Sequence, residues 1–363
     1  MPVNRAVMGD ALRSGLSRDE SRFTTLDGSA IGLFTLESAW LRAVVSAYGA
    51  SLVALEVPDR AGERANVVLG HPSLDAYRTG TTYFGATIGR FANRIAKGRF
   101  TLDGCAYQIP CNDEPNALHG GRHGFDKAVW HVVDEIPAAV RLRHVSADGD
   151  QGFPGCVSVD VSYTIEANAL RLDYEATTDA PTVVNFTNHS YFNLDGEDSG
   201  DVYAHEVQID AERYLPIDET SIPRGELRAV AGTPFDFRTP TPIGARIRTA
   251  DEQIVNGRGY DHTFVLARLQ PGKIKRCACV RSPRSGRFLA CETDRPGLQF
   301  YTGNMLAGAN RSRDGTRLYR QGDGFSLETQ GFPDAPNQPT FPSTVLRPGE
   351  TFRSTTVYRF GAR

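Results

Sequence analysis

Along most of the chain apolar and polar residues alternate in short runs, and a glycine, proline or Asx residue ends each run before a helical period builds up. In "GRFTLDGCAYQIP", Phe100 and Leu102 precede Asp103-Gly104, and Tyr107 and Ile109 follow. That pattern predicts a hairpin closed by a tight turn. In "CVSVDVSYTIEANALRLDYEATT", Val157, Val159, Val161 and Tyr163 alternate with polar residues, and a second hairpin is expected to turn near Asn168. "PSLDAYRTG" is one of few helix candidates, a short peripheral turn with Ser73 as its cap. No fixed-period repeat, low-complexity linker or shift in composition divides the chain. The expected architecture is all-β, a large antiparallel β-sandwich whose two packed sheets leave one concave face free for polar residues. Residues 1–22 read as a flexible N-terminal leader and residues 23–363 as a single domain.

One run breaks the ordinary pattern. In "VVNFTNHSYFNLDG", residues 183–196, a regular strand would put Asn185, Thr187, His189, Tyr191 and Asn193 on one face and Val184, Phe186, Phe192 and Leu194 on the other. Asn188 and Ser190 fall on the apolar side, which predicts a bulge or the end of a sheet there. A solvent-facing sheet surface is also polar, but such surfaces recruit Lys, Glu and Thr rather than Asn, His and Tyr together. The odd face is therefore expected to line a cleft.

Composition narrows the partner. The 363 residues are 40% apolar and 23% charged, with a net charge of -3. This balance suits a soluble protein with a large core and argues against a nucleic-acid or anionic-membrane partner. The first twenty residues carry charges throughout, so no secretory or membrane-spanning segment is expected and a cytoplasmic location is. The sequons at Asn185, Asn188 and Asn310 count for little without such a signal. Cys105, Cys111, Cys156, Cys277, Cys279 and Cys291 form no C-x-x-C pair and are expected to be free thiols, with Cys277 and Cys279 on one strand face.

Candidate chemistry gathers at a few polar positions. Glu328 in "GFSLETQGFPDAPNQPTFP" stands near the end of a strand, and in a partly apolar cleft desolvation would raise its pKa toward the range of a general base. With His189 it would make a base and acid pair. His119, Asp261, His262 and Gln299 add polar tips to apolar strands. The His119/His123 spacing suits zinc on a helix, but Gly120, Gly121 and Gly124 make a helix untenable there, and no metal is expected. H-E-x-x-H, G-x-S-x-G, P-loop and dinucleotide glycine motifs are absent.

The motifs "GATIGRFANRIAKGRFTLDG", "NALHGGRHGFDKAVW", "VVNFTNHSYFNLDG", "YLPIDETSIPRGELRAVAGTPFDFR", "GYDHTFVL", "GLQFYTGN" and "LETQGFPDAPNQPTFPSTVLRPGE" resemble, in order, those of the aldose 1-epimerase (galactose mutarotase) family. The resemblance runs from about residue 23 to the end. It implies an antiparallel β-sandwich with an open sugar-binding cleft, a monosaccharide substrate and no cofactor, in a monomer or homodimer. By position it implies His189 as general acid, Glu328 as general base, and Asn93, Arg94, His119, Asp261 and Gln299 as hydroxyl-binding residues. The leader and the segment "KIKRCACVRSPRSGRF" have no assigned counterpart. Two rivals remain at this stage: a glycosidase, with Asp261 as second carboxylate, and a sugar-binding sensor without catalysis. A sugar phosphate would call for extra cations near the cleft, for which Arg90 and Arg122 are the candidates.

Overall fold

The computed structural model describes residues 31–267 and 272–363. The leader expected over residues 1–22 lies outside them. The alternating run after Cys156 forms the strands Val157–Glu166 and Ala169–Thr178, paired antiparallel through a turn at Ala167 and Asn168. Val157, Val159, Val161 and Tyr163 are all buried, as their period of two requires. The predicted short hairpin forms between Arg99–Leu102 and Cys105–Gln108, with Asp103 and Gly104 both at positive φ, 50° and 82°. That is the turn geometry whose twist matches paired strands. Ser73 caps the helix Leu74–Thr79 by accepting the Ala76 N–H on its hydroxyl.

These elements assemble into two principal antiparallel sheets. The larger has nine strands in the order His131–Ile136, Ala139–Ser146, Val157–Glu166, Ala169–Thr178, Phe352–Ala362, Arg287–Thr293, Lys275–Arg281, Glu206–Ile209 and Thr241–Pro242. The second has six: Tyr191–Phe192, Phe325–Gln330, Gly297–Tyr301, Asp261–Val265, Arg213–Tyr214 and Arg228–Ala229. A four-stranded sheet from Leu33 to Asn66 joins the same apolar core.

The two principal sheets meet through Leu298, Phe300 and Leu327 of the smaller one and Leu289, Tyr358 and Phe360 of the larger. Each fully buried side chain of this size contributes roughly 1.5–3 kcal/mol. Tyr358 also donates its hydroxyl to the Leu327 carbonyl at 2.9 Å, which ties the central strand of the larger sheet to the second strand of the smaller.

The segment without an assigned counterpart is ordinary sheet. Lys275–Arg281 and Arg287–Thr293 pair with each other inside the nine-stranded sheet. One expectation fails there: the register shifts between Arg276 and Ala278, so Cys277 and Ala278 are both buried while Cys279 is half-exposed. A bulge adds a residue to the strand and breaks the two-residue period on which the shared-face expectation rested. All six cysteines are free thiols. Among the described residues no helix is long and apolar enough to cross a membrane.

Candidate active site

The strands Phe325–Gln330 and Gly297–Tyr301 of the six-stranded sheet are buried on both faces, and alternation sorts their residues. In Phe325–Gln330 the side chains of Phe325 and Leu327 join the core, so Glu328 must point to the opposite face. In Gly297–Tyr301, Leu298 and Phe300 face the core and Gln299 and Tyr301 the other side. Register then aligns the polar face into rows. Thr263, Gln299 and Glu328 stand side by side, as do Asp261, Tyr301, Ser326 and Tyr191. Gln299 is fixed within this layer: it accepts from the Thr263 hydroxyl and donates to Asp261 Oδ1 at 2.6 Å.

A second wall comes from loops. Arg94-Ile95 pairs with Ala117-Leu118, and the Asn93 N–H donates to His119 Nδ1 at 3.1 Å while the His119 N–H donates to the Asn93 carbonyl at 3.1 Å. Both residues hold positive φ, 68° and 53°, a conformation that stores strain at functional positions. The glycine after His119 has no alternative, because a Cβ on Gly120 would lie 2.1 Å from the Gly89 carbonyl oxygen. Arg94 donates to Asp113 Oδ2 at 2.7 Å and lies 3.7 Å from Asp261 Oδ2.

The run 183–194 crosses between these walls, and it is not one strand. Thr187-Asn188 pairs with Thr87-Ile88, Tyr191-Phe192 pairs with Phe325-Ser326, and the chain breaks at His189 and Ser190 between them. The expected sheet end is there. Of the odd positions, however, only His189 and Tyr191 line the cavity. Asn185 bonds Ala92 and Gly331 main-chain groups, Asn193 bonds the Gly200 and Asp323 carbonyls, and Thr187 is buried. Asn188 and Ser190 form the clamp that makes the break. Asn188 donates to the Gly85 carbonyl and the Tyr163 hydroxyl and accepts from both the N–H and hydroxyl of Ser190.

The walls enclose a cavity of about 240 Å³, smaller than the roughly 300–1,000 Å³ of drug-sized sites and suited to one sugar ring. Asn93, Arg94, His119, His189, Asp261 and Glu328 all line it, and Gln299 stands behind Asp261. Tyr83 and Tyr301 line it too and were not singled out from the sequence, and so does Asn310, noted there only as a sequon. Tyr83 gave no signal beyond an aromatic in a loop. Tyr301 was legible in principle, two positions from Gln299 on one strand face. Arg90 is not available as a phosphate contact, since its guanidinium donates to Ser146 and to the Pro154, Gly155 and Ala147 carbonyls. Arg122 does not line the cavity. A larger depression of about 640 Å³ around Asp210, Arg213, Arg238 and Lys275 lies on another part of the surface, away from this convergence of groups.

At the cavity wall His189 Nε2 and Glu328 Oε2 are 3.7 Å apart and both side chains are buried. Neither Glu328 Oε2 nor His189 Nδ1 has a hydrogen-bond partner among the described residues outside its own residue. Buried polar atoms left unpaired are costly and mark functional positions. Burial pushes Glu328 well above the usual carboxylate range, with the Asp261 charge adding to the rise and Arg94 opposing it. Burial pulls His189 down to about 4. His119 is pulled well below its ordinary value, by burial first and then by His189 and Arg94. Asp261 is raised by burial against the pull of Arg94.

His119, His189 and Glu328 bring ligand atoms within 4.8 Å of one another, the composition of a divalent-cation site. The chemistry of His119 does not fit. Its Nδ1 accepts the Asn93 N–H, so in the neutral ring Nε2 carries the hydrogen and is a donor rather than a ligand. His123, the other half of the rejected zinc pair, is exposed.

Comparison with known proteins agrees with this geometry. A model of the family Aldose 1-epimerase matches residues 32–359. Galactose mutarotase of Rattus norvegicus is 46% identical over 333 residues, 92% of this chain and 95% of its own. Aldose 1-epimerase of Escherichia coli strain K12 is 42% identical over 338 residues, 92% and 96%. Among solved structures, an aldose epimerase homologue from C. elegans superposes with a TM-score of 0.84 at 31% identity, covering 92% of this chain and 99% of that one.

Proposed function

The chain belongs to the aldose 1-epimerase family and is a mutarotase, an isomerase acting on a sugar; from that premise we propose that Glu328 and His189 are its general base and general acid. The observation that carries the assignment is the 3.7 Å approach of two buried groups within one ring-sized cavity, where Glu328 Oε2 and His189 Nδ1 have no hydrogen-bond partner among the described residues outside their own residues. The substrates are free aldoses such as D-galactose and D-glucose. Arg94 is the one permanent cation among the lining residues and is already opposed by Asp113 and Asp261, which supports a neutral sugar over a phosphorylated one.

The reaction needs only proton transfers. Glu328 removes the proton of the anomeric hydroxyl while His189 protonates the ring oxygen, the C1–O5 bond breaks, and an open-chain aldehyde forms. Rotation about C1–C2 presents the other face of the aldehyde. On closure His189 takes back the proton from the O5 hydroxyl and Glu328 returns one to O1, so the pair ends as it began. Each transfer contributes about 10²–10⁴-fold. Desolvation favours neutral Glu328 and neutral His189, which is the state of the pair once the ring is open. The ionised starting pair is formed against that bias, and hydrogen bonds from the bound sugar offset its cost.

Asn93, Arg94, His119 and Asp261 bind hydroxyls in this reading, with His119 donating from Nε2 and Gln299 holding Asp261 in place. The six free thiols support a reducing, cytoplasmic setting. Polarimetry of freshly dissolved α-D-galactose and α-D-glucose tests the assignment. Glu328→Gln and His189→Asn are expected to lose about 10²–10⁴-fold in kcat; a wild-type rate in either variant removes that residue from its role.

A further inference from the structure

His189 has to carry a proton in a site that disfavours one. The groups facing it are Glu328 at 3.7 Å, the His119 ring nearly perpendicular at 5.1 Å between ring centres, the Tyr301 ring at 6.3 Å and 73°, and two tyrosine rings nearly parallel to it. Tyr191 lies at 5.1 Å and 27°, and Tyr83 at 5.8 Å and 30°. Asp261 and Arg94 line the same cavity beyond these. Both tyrosine faces fall within the ~6 Å at which an aromatic ring stabilises a cation.

Tyr83 is held there by unusual means. It is a bulky aromatic at φ 58°, an outlier for such a residue. The turn it begins is stitched to the main chain of His189 itself: the Gly85 N–H donates to the His189 carbonyl at 3.0 Å, and the His189 N–H donates to the Ala86 carbonyl at 2.9 Å. The Ala86 N–H closes the turn on the Tyr83 carbonyl at 3.1 Å. Ring and imidazole are therefore carried on one hydrogen-bonded unit.

We propose that Tyr83 is a positioning residue for the general acid: with Tyr191 it fixes the imidazole plane and supplies the π-face that supports the protonated ring where Nδ1 has no acceptor outside its own residue. The inference rests on the reading of His189 as the acid. It makes Tyr83 act through His189 rather than on the sugar, so its loss is felt in kcat and in the pH profile more than in KM.

Polarimetric kcat and KM across pH decide it for Tyr83→Phe, Tyr83→Leu and a chain carrying 3,4,5-trifluorophenylalanine at position 83. The phenylalanine ring keeps the face and is expected to stay within about threefold of wild type, while leucine loses about tenfold in kcat with KM nearly unchanged. The fluorinated ring keeps the shape but drains the face, so it should fall between the two. With it the alkaline limb of the profile, where the pair gives up its proton, moves to lower pH. This comparison holds even if Tyr83→Leu fails to fold. The proposal is overturned if phenylalanine is as impaired as leucine, if leucine alters KM alone, or if the fluorinated ring leaves kcat and the limb where they were. A fully active His189→Asn would instead sink the acid assignment itself, whereas an inactive His189→Asn with a flat Tyr83 series sinks only the positioning role.

Discussion

Glu328 and His189 are close enough to titrate as a pair rather than as two residues. In the proposed cycle the active form holds one proton between them. Activity then falls at low pH as a second proton arrives and at high pH as the last one leaves, giving a bell-shaped kcat/KM profile. Asp261 tests the electrostatics. Its charge is among the causes that raise Glu328, after burial, so Asp261→Asn should move both limbs to lower pH, besides weakening sugar binding. A profile fixed in position, or one moved upward, contradicts that reading. The residues of this site were unequally legible. His189 and Glu328 stood out as polar groups set in apolar strands, and the ordered motifs pointed to the family. Tyr83 did not stand out, because its importance comes from a backbone turn bonded to a segment far along the chain.

The strand Phe325–Gln330 links stability to the site. Its alternation sends Leu327 into the contact between the two sheets and Glu328 into the cavity, so a slip of one residue would exchange them. Leu327→Ala leaves a cavity beside Tyr358 and removes apolar contacts on both sheets, and should cost about 2–5 kcal/mol in urea unfolding. A loss below about 1 kcal/mol would mean that this strand does not anchor the sandwich. The long strands and tight hairpins at this scale were readable, since Val157 to Tyr163 and Asp103-Gly104 carry their own periodicity and turn chemistry. The two-residue pairings at Thr87-Ile88, Arg94-Ile95 and Thr187-Asn188 were not. Such segments are too short to show a period, and their partners are distant in sequence.

Across the whole molecule the buried histidines set the response to acid. Six of the eight are shifted down by burial: His71, His189 and His205 to about 4, His262 to about 3, with His119 and His144 lowered as well. The unfolded chain takes up these protons near pH 6.5, whereas in the fold His71, His189 and His205 resist them until about pH 4 and His262 until about 3, with His119 and His144 withheld in the same direction. Stability therefore falls as pH drops through that window, with a slope of up to ~1.4 kcal/mol per pH unit for each proton withheld. Glu197, raised to about 7 by burial, and Glu328 act oppositely, since their folded forms hold protons that the unfolded chain has released. Asp126, Asp198, Asp261, Asp323 and Asp334 are raised as well, but from an ordinary value of 3.8 that lies below this window, so between pH 6.5 and 5 the six histidines outweigh the carboxylates and the melting temperature should decline. A flat or rising melting curve over that range would show that these histidines are not withheld from protons in the fold.

The all-β character, the hairpins, the capped helix and, through motifs in a fixed order, the family are legible in the order of residues alone. Those features are carried by neighbours two to four positions apart, where alternation and turn residues act directly. It took packing in three dimensions to bring His189 and Tyr191 to the cavity and leave Asn185 and Asn193 bracing the chain beside it. The same packing decided that Arg90 is spent on the main chain, that a bulge turns Cys277 inward, and that Tyr83 lies against the imidazole. Each of these depends on which distant segment lies opposite, and on how much water that packing removes, neither of which a local pattern contains.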